Sequence, residues 1–559
     1  MTLAARRAET ASRVAADQLG ALVAERAPDP LTTGISWSGP VARDLPDESA
    51  VQAACGIMHV HGRAAGRPQR LGIDYASTLG GVLAAHGVLG ASIARVRGAR
   101  ITHVRTSVAQ AALLAVQQYL AVSTADDDWV ETWEPGGRPP FRSGDGVRFE
   151  LETLHADGWE RFWRALGAGP GAVAAGWWPF QQRFATATGS LPQSLHETAR
   201  AADYGTVSAA AASAGVSVLP LRDDPAPPAE VPACTFRTLP GSARPRPVRN
   251  AAGPLDGIVV VESTRRIQGP VVGHVLSMLG ADVVRVEPPG GDPMRGIPPT
   301  AGNCSARYRA LNDGKRVVEL DIKSEAGRRG VHELVADADA FVHNWAPGKA
   351  EQLGFDAESL SRTRPGLAHA WSSGWWPLSW PEQPLGTDYL VQAHSGLAAA
   401  AYPADELPAP SLMTLTDVLG GLVCAQGVLA ALLGQVRTGR GYRVNSSLFS
   451  ASGVVPRPAS RPVWTELDRP LETDDGYLVL PRSFDAADLA AVLGTAEPSR
   501  VAARMRARPT EVWTRSLAEV GIVATPVCTD MGQLARDPQF AGCLSGGDYV
   551  SPHEPWEFS

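Results

Sequence analysis

The sequence predicts an α/β protein built on a doubly wound, mostly parallel sheet, part of which is duplicated in tandem. Three observations carry that reading: strand and helix patterns alternate over residues 255–374, a long stretch starting at Leu79 recurs at Leu419, and a proline-rich segment lies between the two copies.

Within the alternating segment, GIVVVE reads as a buried strand, PVVGHVLSMLG as a helix entered through Pro270 in its first turn, and ADVVRVE as a second strand. Together these make a parallel βαβ unit. KRVVELDI continues as a strand, Ser324 is placed to cap the helix SEAGRRGVHELVADA, and AFVHNW and LAHAWSS follow as further strands.

The repeat sets LGGVLAAHGVLGASIARVRGARITHVRTS, from Leu79, against LGGLVCAQGVLAALLGQVRTGRGYRVNSS, from Leu419, without a gap. Nearly half the positions are identical, among them Gly80 with Gly420, Gly87 with Gly427 and Arg97 with Arg437. The register holds upstream, where VQAACG at Val51 meets VQAHSG at Val391. Downstream, PPFRSGDGVRFELE parallels RPLETDDGYLVLP and AAASAGVSVLPL parallels LAEVGIVATPV, so both copies end alike. Only the second copy carries the segment from about Leu255 to Gly374; the first lacks its front third. The stretch PLRDDPAPPAEVPACTFRTLPGSARPRPVRNAAGP between them reads as an extended linker with little helix or strand, which places the domains at 1–250 and 251–559.

Length and composition bound the function. A chain of 559 residues exceeds one usual hydrophobic core, and 44% apolar with 19% charged residues is a globular balance. A net charge of -7 supplies no basic field for nucleic acid, so a small-molecule partner is favoured. The N-terminal residues read as a charged amphipathic helix rather than a signal peptide, and Val418 to Gly434 as a buried helix rather than a membrane span. Six scattered cysteines with no CxxC pair indicate neither a zinc site nor a disulfide framework, so a cytoplasmic location without a metal is expected.

In a doubly wound sheet, ligands sit beyond the carboxyl ends of the strands, here the loops STRRIQGP, EPPGGDPMRG and NWAPGK. Neither GxGxxG nor a Walker sequence is present. Gln268 and Gly269 precede a helix N-terminus, and Arg265, Arg266 and Lys323 suit a phosphate-bearing ligand; the plain alternative is solvated charge beside a turn.

The segments GADVVRVEPPGGDPMRG, LNDGKRVVELDIKS, FVHNWAPGKAEQLGF and RTGRGYRVNSSL, in this order, resemble the successive signatures of the class III CoA-transferases, which include formyl-CoA and carnitine CoA-transferases. The resemblance covers residues 254–559 and, less its front third, 35–250. It implies a CoA-binding α/β large domain over 254–375, a smaller domain that is reduced in both copies, and protomers interlocked like links. In a tandem chain the two copies would form an intrachain pseudo-dimer with one site, with homo-oligomers left open.

In the family, an aspartate at the start of a glycine- and alanine-rich helix acts as nucleophile, and PAPSLMTLTDVLGGLVCAQG reproduces that context with Asp417. A carboxylate there splits acyl transfer into steps through an enzyme anhydride and an aspartyl-CoA thioester. The structural alternative is that Asp417 merely caps its helix. The first copy has Ser77 at that register and Asp74 three residues earlier, which implies that its catalysis is lost.

For CoA, taken as substrate, the resemblance points to Arg266, Gln268, Leu320, Lys323, Asn344 and Trp345, with Pro347 and Gly348 behind. Gln352 and Pro288 stand where many members have a basic residue, and the family's glycine-rich loop has no counterpart between Ser450 and Asp475.

Two other readings fit parts of the sequence. An acyl-CoA racemase of this fold would place a histidine before the aspartate of GTDYLVQAHSG, but Thr387 precedes Asp388, and His394 reads as a buried helix residue. A noncatalytic CoA-binding scaffold is the reading from another class. Trp177, Trp178, Trp375 and Trp376 read as core or pocket wall, with Trp375 near enough to line the site. Asp126 to Asp128 and ARPRPVR read as solvated surface, too short for a nucleic-acid or membrane partner.

Overall fold

The computed structural model describes residues 8–23, 25–127, 134–243 and 253–559. Most of ARPRPVR, Asp128 and the domain boundary at 250/251 therefore lie outside the described residues.

The first copy runs through α1 (Glu9–Gly20), β1 (Thr32–Ser36), α2 (Glu48–Ala54), α3 (Tyr75–Val96) and β2 (His103–Ser107). It then forms a small lobe, in which β3 (Arg148–Glu152) is the centre of a three-stranded antiparallel sheet completed by Phe141–Arg142 and Ser217–Pro220. A strand, β4 (Cys234–Ser242), crosses to the second copy.

The second copy contains β5 (Val259–Ser263), α4 (Gln268–Met278), β6 (Asp282–Glu287), β7 (Arg316–Glu319), β8 (Ala340–His343), β9 (Ala368–Ser373), α5 (Asp388–His394), α6 (Leu415–Thr438) and β10 (Arg440–Ser447). A second small lobe follows, with its own three-stranded sheet over 471–526, and the chain ends in β11 (Glu557–Phe558).

The large sheet has the order β7-β6-β5-β8-β9-β10-β4, parallel except at β4, so its first six strands follow the doubly wound 3-2-1-4-5-6 arrangement. Every strand and helix expected over 255–374 is present, and Ser324 does cap the helix Glu325–Ala336 by accepting from the Gly327 N–H. The first copy's large sheet is only β1-β2-β11, with β1 parallel and β11 antiparallel to β2. That is the β9-β10-β4 end of the larger sheet, and among the described residues the first copy has no strands like β5 to β8.

The front of the first copy is nevertheless not wholly missing. A Cβ on Gly81 of α3 would lie 2.6 Å from the Ala11 carbonyl oxygen and 2.7 Å from Val14 of α1; one on Gly421 of α6 would lie 2.6 Å from the Gln268 carbonyl oxygen and 2.6 Å from Val271 of α4. α1 is thus the counterpart of α4, hidden from a gapless comparison because the strands between were deleted. The repeated glycines have one purpose in both copies: Gly87 admits Val104 and Gly427 admits Val444 at the same close approach.

The linker reading is also corrected, since β4 pairs along its length with β10 as the edge strand of the large sheet. Its Pro240 is tolerated because an edge strand leaves one side of its ladder unpaired.

α3 and α6 pack against each other at the centre, buried almost throughout. Both are long and apolar enough to cross a membrane, yet 89% and 94% of their most apolar windows are buried within the protein. Two polar side chains of α3 bond across the interface: Tyr75 donates to the Leu415 carbonyl and His86 Nε2 lies 2.8 Å from the Leu422 carbonyl oxygen. Asp127, expected as solvated surface, instead accepts from the Thr300 N–H and hydroxyl and joins the two copies.

Candidate active site

The strand order reverses between β5 and β8, and the loops leaving these strands diverge to open a cavity of about 730 Å³. Its walls come from three sources. The loops contribute Arg265, Arg266, Trp345 and Lys349; α5 and α6 contribute Asp388 and Asp417 from their N-termini; and the small lobe of the first copy contributes Glu152, Arg183 and Phe184.

Asp417 occupies the third position of α6, and the cap of that helix is not its own. Thr414 stands at the N-cap with φ 57°, and its side chain makes no capping bond. The capping group is Asp388 of α5: its Oδ1 accepts from the Thr416 N–H at 2.6 Å, the Thr416 hydroxyl at 2.6 Å and the Asp417 N–H at 3.0 Å. Gln392 donates to the other Asp388 oxygen and to the Ser411 carbonyl, and accepts from the Ser411 N–H, which fixes the carboxylate in place. With the helix end satisfied from outside, the half-buried Asp417 carboxyl has no hydrogen-bond partner among the described residues and faces the cavity.

Electrostatics distinguish the two acids. Burial and then the neighbouring Asp388 push Asp417 well above the usual carboxylate range, with Arg266 opposing. Burial raises Asp388 to about 6 despite the hydrogen bonds from Thr416, Gln392 and Asp417. Asp417 therefore sits in a setting that makes a carboxylate basic and reactive.

The residues expected to hold CoA are largely brought together. Arg266, Gln268, Leu320, Lys323, Asn344 and Trp345 all line the cavity, whereas Pro347 and Gly348 do not. Gly348, at φ 75°, starts the helix Lys349–Leu353 and so presents Lys349 to the cavity. Asn344 clamps the loop after β5, accepting from the Arg265 N–H at 3.0 Å and donating to its carbonyl at 2.9 Å. Arg266, next in line, adopts φ 64°. For a residue with a Cβ that conformation costs roughly 1–2 kcal/mol, and the Asn344 clamp helps hold it. Gln268 is buried and donates to the Ser373 carbonyl at 3.1 Å, which ties α4 to β9. Gln352 lies outside the lining, but Lys323, Lys349 and Arg265 supply cations there.

Trp375 is a correction. It is 2% exposed and packs with Trp380, His394 and Phe449 behind the site, donating to the Pro384 and Leu385 carbonyls. Among the described residues no histidine lines the cavity, and Thr387 precedes α5 where a racemase would need one.

Two groups escaped sequence reading. Behind the loop after β5, Arg285 of β6 is 1% exposed and bonds Glu262 at 2.7 Å, Glu287 at 2.9 Å and Asp292 at 2.7 Å, while Lys315 reaches Glu262 at 3.0 Å. Burial tends to raise Glu287, but Arg295, Tyr308 and Arg285 outweigh it and hold Glu287 at about 2. The second group is Glu152 with Arg183 of the first copy, paired at 3.0 Å. The signal for both was a charged residue within an apolar strand pattern, VVRVE and RFELE, which alternation alone reads as a solvent-facing position.

The first copy repeats the architecture with Ser77 in the place of Asp417. Glu48 of α2 caps α3, accepting from the Ala76 N–H, the Ser77 N–H and the Ser77 hydroxyl, and Gln52 holds it as Gln392 holds Asp388. Asp74 is bound by Thr10 and by Arg482 from the second small lobe.

The family model for CoA-transferase family III matches residues 33–226 and 255–500, so this chain belongs to that family. It is 34% identical over 202 residues to an acetyl-CoA:oxalate CoA-transferase of Acetobacter aceti, covering 36% of this chain and 52% of that one. It is 32% identical over 212 residues to a succinyl-CoA:glutarate CoA-transferase of Mus musculus, covering 38% and 49%. The chain thus spans about half the length of these curated relatives. A CAIB/BAIF family protein from Brucella suis shares the fold with a TM-score of 0.51 and 26% identity, over 55% of this chain and 93% of that one.

Proposed function

We propose that this protein transfers CoA between an acyl-CoA thioester and a carboxylic acid, with Asp417 as nucleophile, within the intrachain pseudo-dimer. The observation that carries the reading is that Asp417 is relieved of capping by Asp388 and faces the cavity unpaired. The acetyl-CoA:oxalate and succinyl-CoA:glutarate CoA-transferases among its relatives support the reaction class.

The Asp417 carboxylate attacks the thioester carbonyl, the C–S bond breaks, and CoA thiolate leaves a mixed anhydride. The thiolate then attacks the aspartyl carbonyl, giving an aspartyl-CoA thioester and releasing the first acid as its carboxylate. The acceptor carboxylate repeats the two steps in reverse order, forming the new acyl-CoA and restoring Asp417. No electron or net proton is exchanged.

The side chains divide this work. Arg266 offsets negative charge beside Asp417, while Lys323, Lys349 and Arg265 suit the phosphates of CoA, and Leu320 and Trp345 offer apolar wall. The small lobe of the first copy covers the site where the family's glycine-rich loop is absent, limiting water access to the anhydride.

The test is intact-protein mass spectrometry after incubation with a panel of acyl-CoAs, then hydroxylamine. An acyl or CoA adduct mapped to Asp417 and lost in Asp417→Ala is expected. CoA binding without an adduct from any donor would move the reading to a scaffold.

A further inference from the structure

Glu150 and Glu152 alternate on one face of β3, and both are buried, at 1% and 7% exposure. One cation, Arg183, faces them, 3.0 Å from Glu152 and 3.7 Å from Glu150. The Arg183 guanidinium lies 3.7 Å from the centre of the Phe180 ring and 4.6 Å from that of Tyr389, the residue after Asp388 in α5. The first copy's lobe is therefore docked onto the helix that caps α6, and Glu152 reaches the cavity that Asp417 faces.

Arg183 is hydrogen-bonded to Glu152 and lies 3.7 Å from Glu150, which burial raises to about 7, so one guanidinium serves two buried acids. Glu152 has a second setting besides this pair, since it lines the cavity that Asp417 faces. Just beyond the corresponding strand of the second small lobe (Tyr477–Val479) stands Arg482, which turns toward the first copy's helix end and binds Asp74. The second copy's lobe thus reaches the first copy's helix end in return, with a base rather than an acid.

We propose that Glu152, delivered by the first copy and anchored by Arg183, is a positioning residue of the second copy's site that sets the charge Asp417 faces. This rests on the reading of Asp417 as nucleophile. The charged and titratable groups around Asp417 are Asp388 of α5, Arg266 of the loop after β5, Glu152 of β3 and the Tyr75 phenol of α3. Around Glu152 they are Arg183, Glu150 and Tyr389. A second negative charge disfavours ionisation of Asp417 and so makes its carboxylate more basic, which strengthens it as a nucleophile. Through Glu152 the first copy, having lost its own aspartate, remains a component of the working site.

The test reads Asp417 directly. A diazoarylacetamide esterifies a carboxyl only in its protonated form, so peptide mass spectrometry across pH gives the labelling midpoint of Asp417 whether or not CoA is transferred. In Glu152→Gln the midpoint moves to lower pH, Glu152→Asp restores it, and Glu150→Gln leaves it in place. Should the single Gln variant not fold, Glu150→Gln/Glu152→Gln/Arg183→Met, which removes the buried acids together with their cation, carries the same expectation. At pH above the Asp417 midpoint, where the carboxylate is ionised in both proteins, Glu152→Gln lowers kcat for CoA transfer by about threefold, with KM for acyl-CoA within about twofold of the parent. A midpoint unmoved by loss of Glu152, or moved equally by Glu152→Asp, overturns the proposal. Absence of CoA transfer in the parent protein with the midpoint shift intact overturns the transferase reading instead.

Discussion

The N-termini of α3 and α6 are built to one plan and end in different chemistry. Each is capped from outside by a buried acid, Glu48 or Asp388, each acid is steadied by a glutamine, Gln52 or Gln392, and each glutamine also bonds backbone of the segment leading into the helix. The difference lies one residue further on. Ser77 spends its hydroxyl on Glu48, while Asp417 bonds through its backbone N–H alone and leaves its carboxyl to the cavity. The comparison teaches that external capping is common to both copies, while the side chain it leaves free for the cavity is particular to the second. The large sheet differs in the same way: among the described residues only the second copy has the four strands whose loops line the cavity.

That comparison can be broken most sharply at Asp417, the proposed nucleophile. Asp417→Ala is expected to lower CoA transfer by about a thousandfold or more, while Ser77→Ala leaves it within about twofold, measured as initial rates. Equal losses at both positions would mean that both copies take part in the chemistry.

The four extra strands come next. Arg285→Met strands Glu262, Glu287 and Asp292 without their shared partner, and breaking such a buried network costs about 3–5 kcal/mol, read as a large drop in Tm. No loss of stability would show that the cluster is dispensable.

The caps themselves should behave alike in stability and differently in chemistry. Asp388→Ala and Glu48→Ala each leave helix N–H groups unpaired, at about 1–3 kcal/mol by denaturant unfolding. Only Asp388→Ala also changes the pH profile. Burial and Asp388 both raise Asp417, so adduct formation in the parent falls as pH is lowered, beginning above the usual carboxylate range. Removing Asp388 shifts that fall to lower pH, whereas removing Glu48 leaves it in place.

The smallest effect is expected at Arg482. Its pairing with Asp74 is partly solvated, so Arg482→Ala costs at most about 1 kcal/mol and leaves CoA transfer unchanged. A marked loss of activity would make the first copy's helix end a working site.

Much of this was legible in the chain. The alternation of GIVVVE, PVVGHVLSMLG and ADVVRVE marked β5, α4 and β6 because both periods are local, and the repeat from Leu79 and Leu419 marked α3 and α6 because no gap intervenes. Asp417 stood out through its helix context. β4 was missed because edge pairing with β10 makes a strand of a segment whose proline and small residues give no local signal. Trp375 was placed too close to the cavity because sequence proximity to Gly374 says nothing of which way an indole packs.

The sequence by itself determined the duplicated α/β plan, the parallel sheet and the candidate nucleophile, since periodicity, glycine spacing and motif order are written along the chain. Only the tertiary structure decided that Asp388 caps α6, that Arg285 gathers three acids, and that Glu152 and Arg183 of the first copy close the second copy's site. Glu152 and Asp388 are hundreds of residues apart along the chain. Charge at such range has no sequence period, and its role is settled by which buried groups the packing of the two copies brings together.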